Sequence, residues 1–237
     1  MRNYAFLSTV IAAQLWVGRT LMTKFTYNPE IFSVRDEAQA KAIILTAENS
    51  TTEARWVQET PLISGLIHDQ IELGVDSVIL DFGCGIGRMA KALIDRYGCR
   101  VVGVDISPSM RSLSVGYVNS GRFFACAPEM ARLLIDQGLR VDLAMSIWVL
   151  QHCLHPAQDI QLLRDALKPQ GRLFVVNNVH RAVPTTEGGW VSDGIDIKAT
   201  LARAFAYRAG EMLRSPDVPS NLSEITYWAA FERKTAG

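Results

Sequence analysis

Three glycines at alternate positions follow an acidic residue at the end of a short apolar run. The segment DFGCGIG occupies residues 81–87 and directly precedes a helix predicted over residues 88–97. Glycines let the backbone turn sharply and approach a ligand closely, and the first N–H groups of a helix have no partner within that helix. Glycine-rich turns also occur where nothing binds. Gly83, Gly85 and Gly87 therefore form one half of a candidate binding site.

A second acidic residue, Asp105, ends the next apolar run, 24 positions after Asp81. A carboxylate at the end of a second strand can accept hydrogen bonds from both hydroxyls of a ribose, so the two features together predict a nucleoside site. Asp81 would repel a pyrophosphate and suits an ammonium group instead. Arg88 stands where the dinucleotide fingerprint has its third glycine. A nicotinamide-dependent oxidoreductase is therefore the less favoured alternative.

The elements that must position these residues alternate in type along the chain. Apolar runs too short for helices predict strands buried on both faces, and the stretches between them predict helices, which together indicate a parallel α/β sheet. The predicted parallel strands lie at residues 77–81, 100–104, 122–124, 141–145 and 172–176. The predicted helices lie at residues 36–47, 52–73 with an interruption at Pro61, 88–97, 128–137 and 156–167.

The tail of the chain predicts a different arrangement. A helix is predicted over residues 195–205, followed by strands over residues 207–213 and 224–233. Residues 215–220, which connect these two strands, are too few for a crossover and are predicted to hold no helix, so the strands should pair antiparallel. The sequence thus predicts seven strands.

Three stretches resemble the motifs of class I S-adenosylmethionine-dependent methyltransferases, in particular the methyltransferase type 11 domain. They are VILDFGCGIGR at residues 78–88, VVGVDIS at 101–107 and LKPQGRL at 167–173. The resemblance covers about residues 76–177. It implies a three-layer, Rossmann-like, seven-stranded sheet that is mostly parallel with the last strand antiparallel, in agreement with the tail. It also implies S-adenosylmethionine as cofactor, S-adenosylhomocysteine as product, and methyl transfer to an oxygen or nitrogen atom of a small-molecule acceptor.

The resemblance also implies roles for individual residues of the cofactor site. Asp81 and the glycine loop would hold the methionine part, and Asp105 would hold the ribose. Ile106 and Met110 would contact the adenine. Ser146 and Ile147 would lie beneath the cofactor. Many relatives carry an acidic residue after the third strand, whereas this chain has Cys126, a poor acceptor. The adenine is then expected at backbone groups near Ala127, and Cys126 as a small buried residue is the equal alternative.

The acceptor side is predicted at strands four and five. His152 lies just past the fourth strand and titrates in the range of a general base, although it could equally line or cap the pocket. The segment at residues 177–196 leaves the fifth strand at the ligand-binding edge, where loops often select substrates. Its polar and aromatic candidates are His180, Arg181 and Trp190, and the alternative is a solvated connector. Arg55 and Trp56 are weaker candidates for the opposite wall.

Composition limits the classes of function and partner. Lys plus Arg and Asp plus Glu each number 24, giving a formal net charge of zero, so no nucleic-acid partner is expected. The four cysteines have neither disulfide-framework nor metal-ligand spacing, so no metal is expected, and a reducing cytoplasm fits them. A non-catalytic S-adenosylmethionine- or nucleotide-binding module on the same fold is the alternative from another class.

The first residues have a cationic start followed by an apolar run at residues 4–17. This run falls short of the roughly 20 apolar residues that span a bilayer, and Arg19 follows where a signal peptide would carry small residues. We therefore expect no membrane span, a dispensable extension or misplaced start at residues 1–21, and a working chain that begins at Met22. A helical cap is predicted at residues 22–75 and the methyltransferase domain at residues 76–237.

Overall fold

Seven strands form one sheet in the computed structural model, which describes residues 25–234. Their order is β3-β2-β1-β4-β5-β9-β8, with β1 to β5 parallel and β9 antiparallel to both of its neighbours. The predicted mostly parallel fold with an antiparallel last strand is therefore confirmed. The strands are β1 (Val78–Phe82), β2 (Arg100–Val104), β3 (Phe123–Cys126), β4 (Val141–Ile147), β5 (Leu167–Asn178), β6 (Val183–Pro184), β7 (Trp190–Val191), β8 (Phe205–Met212) and β9 (Thr226–Arg233). The short β6 and β7 form a separate hairpin.

The strand order reverses at β1, which pairs with β2 on one side and β4 on the other. Asp81 lies opposite Gly103 of β2 and Met145 of β4, so the ends of these three strands meet at one edge. In open parallel sheets the crevice at such a reversal is where ligands bind. The fold thus places the predicted motifs at the edge that suits a site.

Helices cover both faces of the sheet. One face packs on α5, α6 and α7, and the other packs mainly on α2 and α3, each through an apolar cluster. The helices are α1 (Glu37–Ile44), α2 (Thr52–His68), α3 (Arg88–Tyr97), α4 (Pro108–Val118), α5 (Pro128–Asp136), α6 (Pro156–Ala166), α7 (Ile197–Ala204) and the one-turn α8 (Ser220–Ser223).

Helices α1 and α2 form a cap over the glycine loop. Asp36 caps α1 by accepting from the Gln39 amide, and Thr51 caps α2 by accepting from the Ala54 amide. A third apolar cluster joins the cap to the edge of the sheet. It consists of Val34, Ala40, Leu45, Trp56, Ile86 and Met110. Residues 34–56 therefore pack directly on the candidate site.

The structure differs from the predictions at four local features. Helix α2 runs unbroken through Pro61, although the proline leaves the Val57 carbonyl without its helical donor; Val57 is 64% exposed. The connection after β8 holds a helical turn that begins at Ser220. Helix α4 and the β6–β7 hairpin were not predicted. The predicted extension at residues 1–21 lies outside the described residues.

Candidate functional site

Each glycine of the loop lies close to a side chain of another element. Gly83, Gly85 and Gly87 have φ values of +76°, +55° and +87°, which residues with a Cβ rarely adopt. A Cβ on Gly83 would lie 2.2 Å from Val149 Cγ2, and one on Gly85 would lie 2.5 Å from Ile44 Cδ1. The loop needs glycine for its backbone conformation and for these close contacts, and helix α1 lies directly against it.

Asp81 is a buried carboxylate without a hydrogen-bond donor. Its exposed fraction is 3%, and none of residues 25–234 donates a hydrogen bond to its side chain. Burial raises the pKa of this carboxyl to about 7, with the positive charge of Arg88 opposing the shift and the negative charge of Asp105 adding to it. An ammonium group is the ligand that would best stabilise the ionised carboxylate.

Asp105 has the opposite environment, because the protein supplies its donors. The two carboxylate oxygens accept from the amides of Gly85 and Ser107, each at 2.8 Å. Burial raises the pKa of Asp105, and the two amide hydrogen bonds and Arg111 oppose that shift. Each oxygen keeps a free lone pair. Asp105 therefore ties the glycine loop to the end of β2 and can still accept from a ligand hydroxyl.

We expect the affinity for S-adenosylhomocysteine to rise with pH up to about pH 7 and then level off. Only the ionised carboxylate of Asp81 would bind the ligand ammonium, and its pKa in the free protein is about 7. Affinity should therefore fall about tenfold for each pH unit below that value. Calorimetry between pH 5.5 and 8 measures the slope. Asp81→Asn should bind weakly with little slope, and a flat wild-type profile would contradict the assignment.

Arg88, the first residue of α3, lies between two tryptophans. Its guanidinium carbon is 5.6 Å from the centre of the Trp56 ring and 5.7 Å from that of Trp148. Burial lowers the pKa of Arg88 to about 10, so the side chain is still protonated at neutral pH. Trp148 follows β4 with a φ of +58°, an uncommon backbone conformation for a bulky residue. The cap and the end of β4 together hold a positive charge near Asp81.

The other predicted cofactor residues lie in differing surroundings. Ser146 is buried at the end of β4, and its hydroxyl has no hydrogen-bond partner among the described residues. Ile147, next to it, is half-buried. Cys126 is buried at the end of β3, and Ala127 precedes α5. After β2, Ile106 is 47% exposed whereas Met110 is 2% exposed and packs in the cap cluster.

The hydrogen bonds around His152 fix the protonation of its ring. Gln151 Oε1 accepts from the Asn178 amide at 2.8 Å, so the amide nitrogen of Gln151 faces His152 Nε2 and donates to it at 3.2 Å. Nε2 must then be the acceptor, and Nδ1 donates to the Ala182 carbonyl at 2.6 Å. Burial lowers the pKa of His152. The ring is therefore held neutral, with both nitrogens bound to protein.

His152 also belongs to an aromatic group at the same edge. Its ring centre is 4.8 Å from that of Trp190 and 6.0 Å from that of Phe32. Phe32 lies in the N-terminal segment at residues 25–33, which we call the strap. Trp190 is 48% exposed. An apolar surface with one open aromatic face therefore lies beside the ends of β4 and β5.

Backbone hydrogen bonds join the strap to the β6–β7 hairpin. The amide of Asn28 donates to the carbonyl of Pro184, and the amide of Thr186 donates to the carbonyl of Thr26. Between them, Tyr27 and Thr185 form an isolated antiparallel β-bridge. Burial raises the pKa of Tyr27 to about 12, and the charges of Cys153 and Asp159 act in the same direction. The strap and the hairpin are thus joined as one unit.

Comparison with known proteins identifies the family. A family model described as a methyltransferase domain matches residues 54–206, more than half of the chain. The chain belongs to this methyltransferase domain family. The resemblance to class I methyltransferases is thereby confirmed. The match begins inside α2, so part of the cap belongs to the family's domain.

Individual members of the family and of the fold are more distant. Over 98 residues the chain is 33% identical to the ubiquinone biosynthesis O-methyltransferase of Chelativorans sp. (strain BNC1). The matched stretch covers 41% of this chain and 38% of that protein. The chain spans less than half the length of the first curated relatives it matches. The PH0226 protein from Pyrococcus horikoshii OT3 has a TM-score of 0.57 at 19% identity, covering 86% of this chain and 96% of that one.

A second solved structure, of the N-methyltransferase NodS from Bradyrhizobium japonicum WM9 in complex with S-adenosylhomocysteine, has a TM-score of 0.56 at 16% identity. That match covers 75% of this chain and 88% of NodS. At such identities the two structures support the methyltransferase fold alone. Among residues 25–234, no helix combines the length and apolarity needed to cross a membrane.

Two predicted acceptor contacts of this methyltransferase domain, Arg181 and Arg55, are buried and bound by protein groups. Arg181 is 4% exposed and binds Asp193 through Nε at 3.0 Å and Nη2 at 2.8 Å. It also donates to the carbonyls of Leu150 and Cys153. Arg55 is buried and pairs with Glu59. Neither guanidinium is free for an acceptor, because protein groups already bind both.

The other candidates for the acceptor side are separated by the structure. His180 is exposed at the end of β5, and Trp190 lies against His152. Trp56 is buried in the cap, where it donates to the Tyr117 hydroxyl at 3.0 Å and contacts Arg88. Trp56 therefore lies in the cap beside the glycine loop, and its role toward the acceptor stays a prediction.

The sequence analysis missed several residues of the site. Trp148 directly follows the predicted strand-end residues and could have been found by extending that strand by one position. Arg88 was used only as evidence against a dinucleotide. Gln151 carried no signal, since its role depends on β5. Phe32 and Tyr27 lie more than 100 positions before their partners, so only the folded structure brings them to the site.

Proposed function

We propose that this chain is an S-adenosylmethionine-dependent methyltransferase acting on an oxygen or nitrogen atom of a small molecule. The observation that carries the proposal is the pair of carboxylates at adjacent strand ends. Asp81 has no protein donor and suits an ammonium, and Asp105 is preoriented to accept ribose hydroxyls. Membership of the methyltransferase domain family supports the same assignment.

The residues at this edge fit the cofactor in chemistry and in position. Asp81 and the glycine loop would hold the amino-acid end, and Asp105 the ribose. The unpartnered hydroxyl of Ser146 is a further polar group beneath it. When bound, S-adenosylmethionine supplies an activated methyl group, so the protein mainly has to orient the acceptor and exclude water.

We propose the aromatic group of Phe32, His152 and Trp190 as the wall of the acceptor site. It borders the ends of β4 and β5, and Trp190 offers an open face. The neutral, doubly bound ring of His152 favours a positioning role over that of a general base. An oxygen acceptor agrees with the names of two relatives, a ubiquinone biosynthesis O-methyltransferase and a tocopherol O-methyltransferase. A cytoplasmic location remains part of this proposal.

Two measurements test the proposed function. Calorimetry should detect binding of S-adenosylmethionine and S-adenosylhomocysteine and no binding of NAD. Labelled S-adenosylmethionine incubated with a metabolite extract should then label an acceptor and release S-adenosylhomocysteine. Binding of NAD in place of these ligands would support the oxidoreductase alternative. Binding without methyl release over a full range of extracts would support the non-catalytic module.

A further inference from the structure

The strap is held at both of its ends. At one end its backbone pairs with the β6–β7 hairpin, which follows β5, through the hydrogen bonds of Thr26 and Asn28. At the other end the next residue, Val34, is buried in the cap cluster, and its amide donates to Ser109 Oγ at 2.9 Å. Ser109 lies in the first turn of α4, which follows β2. The strap therefore reaches from the β5 side of the sheet edge to the β2 side.

The middle of the strap must pass over the end of β1. Phe32 lies against His152, just past β4, whereas Val34 lies against the start of α4. In the sheet β1 lies between β4 and β2, so the ends of these two strands are about 10 Å apart. Two residues of extended chain span at most about 7 Å, which leaves no length for a detour. Ser33 therefore lies above the crevice that contains Asp81 and the glycine loop.

The strap is held by contacts that can break without disrupting the core. None of residues 25–33 is buried, and their only helix is a single turn. The pairing with the hairpin consists of two backbone hydrogen bonds and one from the Thr26 amide to the exposed carboxylate of Glu187. Segments with exposed backbone hydrogen bonds and few buried apolar contacts are the first to open in a folded protein. Val34, by contrast, is 7% exposed and would stay in place as a hinge.

We propose that the strap is the gate of this crevice, hinged at Val34 and held closed by the hairpin. The inference rests on the proposed function, since S-adenosylmethionine and its product would pass the gate. A ligand beneath a strap that is fastened at both ends cannot leave until one end is released, and the hairpin end is the one where the strap has no buried residue. Closure brings Phe32 against His152 and Trp190, so the proposed acceptor wall is complete only in the closed state.

A disulfide between the strap and the hairpin tests the gate. Tyr27 and Thr185 form a bridge that is flanked by hydrogen bonds on both sides, so their Cα atoms should lie about 4.5 Å apart. That separation is within the range that a disulfide spans. In the double variant Tyr27→Cys with Thr185→Cys, oxidation should therefore lock the strap. The cross-linked protein, loaded with labelled S-adenosylhomocysteine before oxidation, should release it at least about tenfold more slowly than the wild type, and a reductant should restore the rate.

The single variants Tyr27→Cys and Thr185→Cys control for the native cysteines and should not slow release after the same treatment. Mass spectrometry measures the fraction of chains that carry the cross-link. A fully cross-linked protein that releases the ligand as fast as its reduced form would overturn the gate.

Hydrogen exchange on the wild type is a second measurement, which serves if the double variant does not fold or oxidise. A ligand beneath the strap should hold it closed, so saturating S-adenosylhomocysteine should slow exchange of the Asn28 and Thr186 amides at least about tenfold. The Gly138 amide, which donates to Ile135 at the opposite edge of the sheet, should not change. Equal exchange of Asn28 and Thr186 with and without bound ligand would overturn the gate alone. A wild-type protein that shows no calorimetric binding of S-adenosylhomocysteine would overturn the proposed function itself.

Discussion

Asp105→Ala is expected to weaken binding of S-adenosylhomocysteine by about 1.5–3 kcal/mol, the range for losing a charge-assisted hydrogen bond. The same change should lower the free energy of unfolding by about 1–3 kcal/mol, because the amides of Gly85 and Ser107 lose their acceptor inside the protein. Calorimetry and denaturant unfolding measure the two effects separately. Both losses follow from one carboxylate that holds the loop and faces the ligand.

Two variants serve as controls for this prediction. Asp95→Ala removes a carboxylate that is 60% exposed in a surface pair with Lys91, so it should change neither quantity appreciably. Asp105→Asn keeps one acceptor oxygen and should therefore fall between the wild type and Asp105→Ala. A destabilised Asp105→Ala protein with unchanged ligand affinity would show that the carboxylate supports the loop without contacting the ribose.

Arg181→Met is expected to destabilise the fold by about 3–5 kcal/mol, the range for breaking a buried ion pair by removing one partner. The guanidinium makes two hydrogen bonds to Asp193 and two more to the carbonyls of Leu150 and Cys153. Its loss leaves a carboxylate whose side chain is only 16% exposed without its cation. The chain after β5 should detach locally, and hydrogen exchange of the Ala182 amide, which donates to Gln151, should increase.

The double variant Arg181→Met with Asp193→Asn separates the charge effect from packing. Since the second substitution removes the uncompensated charge, the double variant should be more stable than the sum of the single effects predicts. Purely additive effects would contradict the ion-pair explanation. An Arg181→Met protein as stable as the wild type, with methyl transfer lost, would restore Arg181 as an acceptor contact.

The order of elements was predictable from the sequence because a short apolar run marks most parallel strands, such as residues 78–80 of β1 and 173–176 of β5. Residues 88–97 and 100–104 were predicted with the bounds that the structure has. Pro61 misled the prediction, since a proline inside a helix removes one hydrogen bond without always ending the helix. Helix α4 has no proline in its interior. It was missed because Ser112, Ser114 and Gly116 weaken its apolar pattern.

The cofactor half of the site was predictable because its residues follow strands whose ends must meet. The glycines and Asp105 are set by local backbone position, and neighbouring strands bring them together. The acceptor half depends on contacts across the chain. Arg181 looked like a binding residue because Asp193 gave no sign of being its partner. His152 looked like a base because its tautomer depends on Gln151 and Asn178, which no local pattern connects.

The pairing of the strap with the hairpin has a consequence for engineering acceptor preference. Thr26 and Glu187 are 161 positions apart, yet the amide of one meets the carboxylate of the other, and Phe32 lies against Trp190. The surface that would receive the acceptor combines the strap with the β6–β7 hairpin, two segments that lie far apart in the sequence. A graft that transplants only the segment after β5 from a relative would meet a strap with a foreign sequence. To exchange acceptor specificity, the strap and the segment after β5 must be transplanted together from the same relative.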